Sequence, residues 1–219
     1  MEKKKVSISK TARYYQSGFI SNKTKNLWFV FHGYGMLAEF FIKKFQYLVD
    51  KETVVIAPEA TSRFYLDRNY ERVGSSWITK IEKQDDIIDN INYLNLLYKN
   101  TVEKIGHNNF QLNIIGFSQG GPMACRWIMN EDITINSIGF WGSDIPEEYL
   151  TKSYKEKWGR FKTSIIIGKK DHIIPIEYRI KFKKTIDNYG LNYNLIEYDG
   201  DHRVLENILI EYSKTLWTK

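Results

Sequence analysis

The sequence is poor in cysteine, in proline and in long apolar runs, and each shortage excludes something. A single cysteine, Cys125, stands among 219 residues, so no intramolecular disulfide can form and a reducing compartment is the natural setting. Cys125 falls in an apolar helical segment, where core packing is expected and redox chemistry is not. There are four prolines, and no proline-, glycine- or serine-rich linker, low-complexity tract or solenoid-length repeat interrupts the chain. No apolar run approaches the roughly 18–20 residues needed to cross a bilayer, which argues against stable membrane insertion. The opening stretch MEKKKVSISK carries positive charge with no apolar segment behind it. A secretory leader is therefore not expected, and a cytoplasmic location is.

What remains is the composition of a globular protein, 42% hydrophobic and 15% aromatic. The length suits one domain, residues 1–219, with a substantial core. The net charge of +6 comes from 32 basic residues scattered among 26 acidic ones. The densest basic stretches, Lys155–Lys162 and Arg179–Lys184, read as solvated helix faces, and no nucleic-acid partner is expected. A homodimer would be compatible with this composition.

Six short apolar runs recur along the chain, at residues 27–31, 53–57, 112–117, 137–141, 164–168 and 194–198. Most are apolar at consecutive positions, the mark of strands covered on both faces. Between them lie segments of helical period. Ile87, Ile91, Leu94, Leu97, Tyr98, Val102 and Ile105 recur at three- and four-residue steps, and Gly106 follows as a stop. Leu37 to Leu48 and Leu205 to Leu216 behave similarly. Strand and helix alternate, which implies an α/β fold with a doubly wound, mostly parallel sheet and helices on both faces. Residues 1–20 alternate apolar with polar residues and read as one or two antiparallel edge strands.

Two connections stand out. The stretch from Pro58 to Gln84 is too long for an ordinary strand-to-helix loop, and loops of that length are usually functional. It supplies Phe64, Tyr65 and Trp77 as candidate walls of a substrate pocket. The connection after Trp141 has room for a short helix but for no large cap domain, so an open site is expected.

The stretch LNIIGFSQGGPMACRWIM, Leu112 to Met129, places Ser118 between Gly116 and Gly120 where a strand gives way to a helix. A sharp strand-to-helix turn holds its central residue in a strained conformation and presents the side chain at the sheet's carboxyl edge. Neighbouring backbone crowds the positions two before and two after, which suits glycine. A phosphate-binding reading fails, because no lysine stands in the P-loop position and no G-x-G-x-x-G spacing exists. Ser118 is thus the candidate nucleophile.

A hydroxyl at its ordinary pKa needs a base and an orienting acid. His202 lies in YDGDHRV, between the last strand and the last helix, where a base can reach over the sheet edge. Asp171, in IIIGKKDHIIP, follows the fifth core strand, and Asp144 after the fourth is its competitor. The order Ser118, Asp171, His202 is that of nucleophile, acid and base in α/β-hydrolases. The oxyanion donors would be the backbone N–H groups of Gln119 and of Tyr34, the latter in FHGYG. His32 in that loop reads as a structural brace.

With these blocks in hand, the chain resembles the phospholipase/carboxylesterase family of small α/β-hydrolases, through FHGYG, APEA, GFSQGG, GKKDHIIP and DGDHRV in order from about Leu27 onward. The resemblance implies the same triad and oxyanion donors, with no cofactor and no metal. Two features depart from the family's thioesterases. Met36 stands where those commonly carry aspartate after H-G-x-G, and the text after APEA is aromatic and charged. Both fall on the substrate side, so the chemistry transfers more firmly than the substrate. The expectation is a serine carboxylic-ester hydrolase for small-molecule esters with short to medium acyl or aryl groups. An acyl thioesterase or lysophospholipase is the alternative enzyme, and a silent binding protein on this fold the non-enzyme alternative.

Overall fold

A computed structural model describes residues 1–217 of the chain. Strands β1 (Tyr14–Ser17), β2 (Asn26–Phe31) and β3 (Thr53–Pro58) come first, with a helical segment between β2 and β3. That segment begins as α1 (Ala38–Phe41) and continues as a 3₁₀ helix over Ile42–Leu48. A hairpin, β4 (Ser62–Tyr65) and β5 (Val73–Ser76), precedes the long helix α2 (Lys83–Ile105). Then follow β6 (Gln111–Phe117), α3 (Gly120–Asn130), β7 (Ser137–Trp141), the one-turn α4 (Lys155–Trp158) and β8 (Lys162–Gly168). The chain closes with α5 (Ile176–Tyr189), β9 (Asn194–Tyr198) and α6 (Glu206–Trp217).

Seven strands form one sheet in the order β1-β3-β2-β6-β7-β8-β9. All neighbours are parallel except β1, which runs antiparallel to β3. All six apolar runs are strands of this sheet, and their consecutive apolar residues separate onto two cores. Leu27, Phe29, Phe31, Ile114, Ile138 and Phe140 pack with α2 and α3 on one face. Trp28, Val30, Ile115, Phe117, Trp141 and Ile166 pack with the 38–45 segment and α6 on the other. Alternation of side chains across the inner strands therefore favours apolar residues at consecutive positions.

One expectation needs correction, and two gain detail. The opening region yields a single edge strand of four residues, Tyr14–Ser17, and residues 1–13 form none. The segment expected to be an α-helix over 37–48 is mostly 3₁₀. There the three-residue spacing of Ile42, Phe45 and Leu48 matches a turn of three residues, and Phe40 is left 58% exposed. The long connection after Pro58, too long for an ordinary loop, carries the β4–β5 hairpin. The connection after Trp141 holds only short helical turns, and no large cap covers the sheet's carboxyl edge. No helix among the described residues is long and apolar enough to cross a membrane, and Cys125 is buried and free.

Candidate active site

Ser118 follows β6 directly and has φ of 51°, one of three non-glycine residues with positive φ among those described. L-residues rarely adopt this region, and they do so where surrounding structure over-determines them. The determinants are visible. A Cβ on Gly116 would meet the backbone of Gly121, and one on Gly120 would meet the carbonyl of Phe31. The Ser118 N–H donates to the Trp141 carbonyl at 3.0 Å, and Ser143 Oγ donates to the Ser118 carbonyl at 2.8 Å. The turn is thus wedged between β2, β7 and the start of α3. Among the described residues the Ser118 hydroxyl forms no hydrogen bond.

Asp171 sits in the loop after β8 and is 1% exposed. Its Oδ1 accepts the N–H groups of Ile173 and Ile174 at 2.9 and 3.2 Å, and its Oδ2 accepts from His202 Nδ1 at 2.7 Å. With a carboxylate as the acceptor, Nδ1 carries the proton and Nε2 keeps its lone pair. The competitor Asp144 is engaged elsewhere, by the Tyr178 hydroxyl. Burial, reinforced by that carboxylate, holds the Tyr178 phenol above its ordinary pKa, so it remains a donor.

Two contacts bring the imidazole beside the serine turn. The His202 ring packs on Phe117, the residue before Ser118, with centroids 4.7 Å apart. Gly142, next to Trp141, lies so close that a Cβ there would sit 2.9 Å from His202 Cε1. Gly142 and Ser118 line one cleft of about 320 Å³. A Cβ on Gly33 would likewise sit 3.2 Å from the Cβ of Ser118, so the 33–35 loop lies against the serine turn. The N–H groups of Tyr34 and Gln119 are not engaged by other backbone groups among the described residues.

His32 is fully buried and acts as the brace of that loop. Its Nδ1 donates to the Gly33 carbonyl at 2.8 Å, and its Nε2 accepts the Ala60 N–H at 3.1 Å. Burial lowers its pKa to about 4, against the opposing pull of the Gly33 carbonyl and the Glu59 carboxylate. The hairpin braces the loop from the other side. Gly35 N–H donates to Ser75 O at 2.9 Å, and Ser75 N–H to Met36 O at 3.2 Å.

The expected pocket walls are corrected by these contacts. Trp77 is 0% exposed, donates to His32 O at 2.9 Å and stacks on the His32 ring, so it is core and not pocket. Phe64 stacks on Tyr34 at 5.2 Å, beside the loop, and Tyr65 is 55% exposed against Tyr70. The cleft is lined instead by Pro122, Asp144, Ile167, Ile174, Tyr178 and Phe182, among others. Three of these flank or belong to α5, and only their helical spacing after DHIIP could have pointed to them. The side chain of Gln119 was also unforeseen. Its Oε1 accepts the Trp77 N–H at 2.9 Å and its Nε2 donates to Ile78 O at 2.8 Å, stapling the segment after β5 to the serine turn.

A parallel sheet of this order, with a strained serine turn after β6 and a carboxylate–imidazole pair after β8 and β9, defines an α/β-hydrolase. The sequence model of the phospholipase/carboxylesterase family matches residues 20–217, and the chain belongs to that family of hydrolases. No curated relative matches it. Among solved structures it is similar to Zea mays acyl-protein thioesterase 2, with a TM-score of 0.68, 13% identity and coverage of 94% of this chain and 98% of that one. It is similar also to the Bacillus cereus carboxylesterase, with a TM-score of 0.65, 13% identity and coverage of 94% and 93%. A phospholipase/carboxylesterase from Dyadobacter fermentans gives 0.63, 16% identity and coverage of 97% and 99%.

Proposed function

We propose that the protein is a serine carboxylic-ester hydrolase acting on esters with short to medium acyl or aryl groups. Ser118 Oγ attacks the acyl carbonyl carbon while His202 Nε2 takes its proton. The carbonyl oxygen becomes an oxyanion held by the N–H groups of Tyr34 and Gln119. The intermediate then collapses, and the alcohol departs with the proton from His202. Water, deprotonated by the same nitrogen, attacks the acyl-enzyme, and the acid leaves as Ser118 recovers its proton. Asp171 holds the imidazole in the required tautomer and stabilises its charged form.

The observation that carries this reading is the buried Asp171–His202 bond of 2.7 Å beside a serine held at positive φ. The positive φ at Ser118 is costly to maintain. A fluorophosphonate probe is expected to label the wild type on Ser118 and to leave Ser118→Ala unlabelled. Equal labelling of both proteins would overturn the assignment. Hydrolysis of a p-nitrophenyl ester series should decline beyond medium chains, and a steady rise toward long chains would remove the substrate class.

A further inference from the structure

Helix α5 is covered unlike its neighbours. Helix α3 buries nine of its eleven residues, whereas α5 buries one of fourteen, Ile186. Its apolar residues are not scattered, however. Ile176, Ile180 and Ile186 share the side that faces Ile165 and Ile167 of β8 and Leu195 of β9. An amphipathic helix ordinarily closes such a stripe onto the sheet. Here Ile186 joins Ile165 in the core and Phe182 packs against it, but Ile176 and Ile180 do not close onto the sheet, leaving a groove of about 180 Å³. Ile176 is 56%, Ile180 63% and Leu195 40% exposed in consequence.

The groove adjoins the cleft beside Ser118. Ile167, Arg179 and Phe182 line both spaces. The cations at the groove are already occupied. Arg179 donates to the carbonyls of Gly168, Asp171 and Ile174, and Lys183 pairs with Asp187 at 2.6 Å. What the walls leave to a ligand is mostly apolar surface, from the isoleucines, Leu195, the Tyr193 ring and the Arg179 stem, with the Glu197 carboxylate as the one polar side-chain group at the groove left unpaired among the described residues.

We propose that this groove is a subsite for the distal methylenes of the acyl chain, and that Phe182, at the junction, sets how long a chain the cleft holds before entering it. The proposal rests on the reading of Ser118 as the acylated residue. Two substitutions test it through the ratio of kcat/KM for p-nitrophenyl octanoate to that for p-nitrophenyl acetate. Leu195→Trp fills the groove and is expected to lower the ratio by about 15–60-fold, the effect of denying burial to two or three methylenes. Phe182→Ala opens the junction and is expected to raise it. Ratios within twofold of wild type in both variants would overturn the subsite. Should Leu195→Trp fail to fold, Ile180→Trp adds the same bulk from an exposed position. Octanoate binding to Ser118→Ala, followed by calorimetry, separates this proposal from the catalytic one. If no ester is hydrolysed yet octanoate binds and is lost in the Leu195→Trp background, the subsite stands and the catalysis falls. If esters are hydrolysed with unchanged ratios and octanoate binding is indifferent to Leu195→Trp, the catalysis stands and the subsite falls.

Discussion

His202 donates its Nδ1 proton across 2.7 Å to Oδ2 of Asp171, a carboxylate whose other oxygen is already taken by two backbone N–H groups. Neither partner can turn without breaking a bond inside the protein. The acceptor is fixed by its own loop, and the ring is fixed by the acceptor and by Phe117 beneath it.

Asp171→Asn should therefore leave the fold intact and remove the chemistry. A carboxamide can present an N–H to the ring, which places the imidazole proton on Nε2, the nitrogen that must act as base. A loss in kcat on the order of 10⁴ is expected, with an unchanged circular dichroism spectrum. An Asn variant that retained a tenth of wild-type kcat would remove Asp171 from the orienting role.

His32 makes a prediction about stability, independent of catalysis. Its folded pKa of about 4 lies below the ordinary 6.5, because burial disfavours the charged ring. Between those two values the unfolded chain binds more protons than the fold, so stability falls as pH falls. The contribution, about 3 kcal/mol in full, is complete above about pH 6.5 and is lost as pH falls to about 4. Urea unfolding at pH 7.5 and 4.5 measures the difference. His32→Asn, which cannot take up a proton, should show a smaller dependence over that interval. Equal slopes for the two proteins would mean that the ring is not held neutral.

Much of this architecture is legible in the sequence. The five inner strands can be read because burial on both faces forces nearly unbroken apolar runs, as in LWFVF and SIIIG. The serine turn can be read because crowding leaves room only for glycine at 116 and 120. The hairpin is hidden because β4 is only half buried and carries no apolar run, reading SRFY. Trp77 is misleading because aromatic content in a long connection does not say which ring points inward; its Nε1 proton reaches the His32 carbonyl and its ring stacks on that imidazole. The cleft walls on α5 are invisible for a related reason. A helix that meets its sheet mainly through Phe182 and Ile186 shows no clean burial stripe, and RIKFKK reads only as charge.

Arg179 is among those residues and makes a sharp prediction. Its guanidinium donates to the carbonyls of Gly168, Asp171 and Ile174, thereby tying the loop that carries Asp171 to the first turn of α5. A planar fork can serve three carbonyls at once, and a lysine ammonium on a flexible stem cannot reproduce that geometry. Arg179→Met keeps the apolar stem while deleting every donor. The loop is then free to shift by a fraction of an ångström to an ångström, and misplacement on that scale costs about 10–100-fold in rate. Fluorophosphonate labelling of Ser118 should slow by that factor in the Met variant and by less in Arg179→Lys, with both proteins folded. Labelling at the wild-type rate in Arg179→Met would show that the backbone of the loop holds Asp171 unaided, through the Ile173 and Ile174 amides alone.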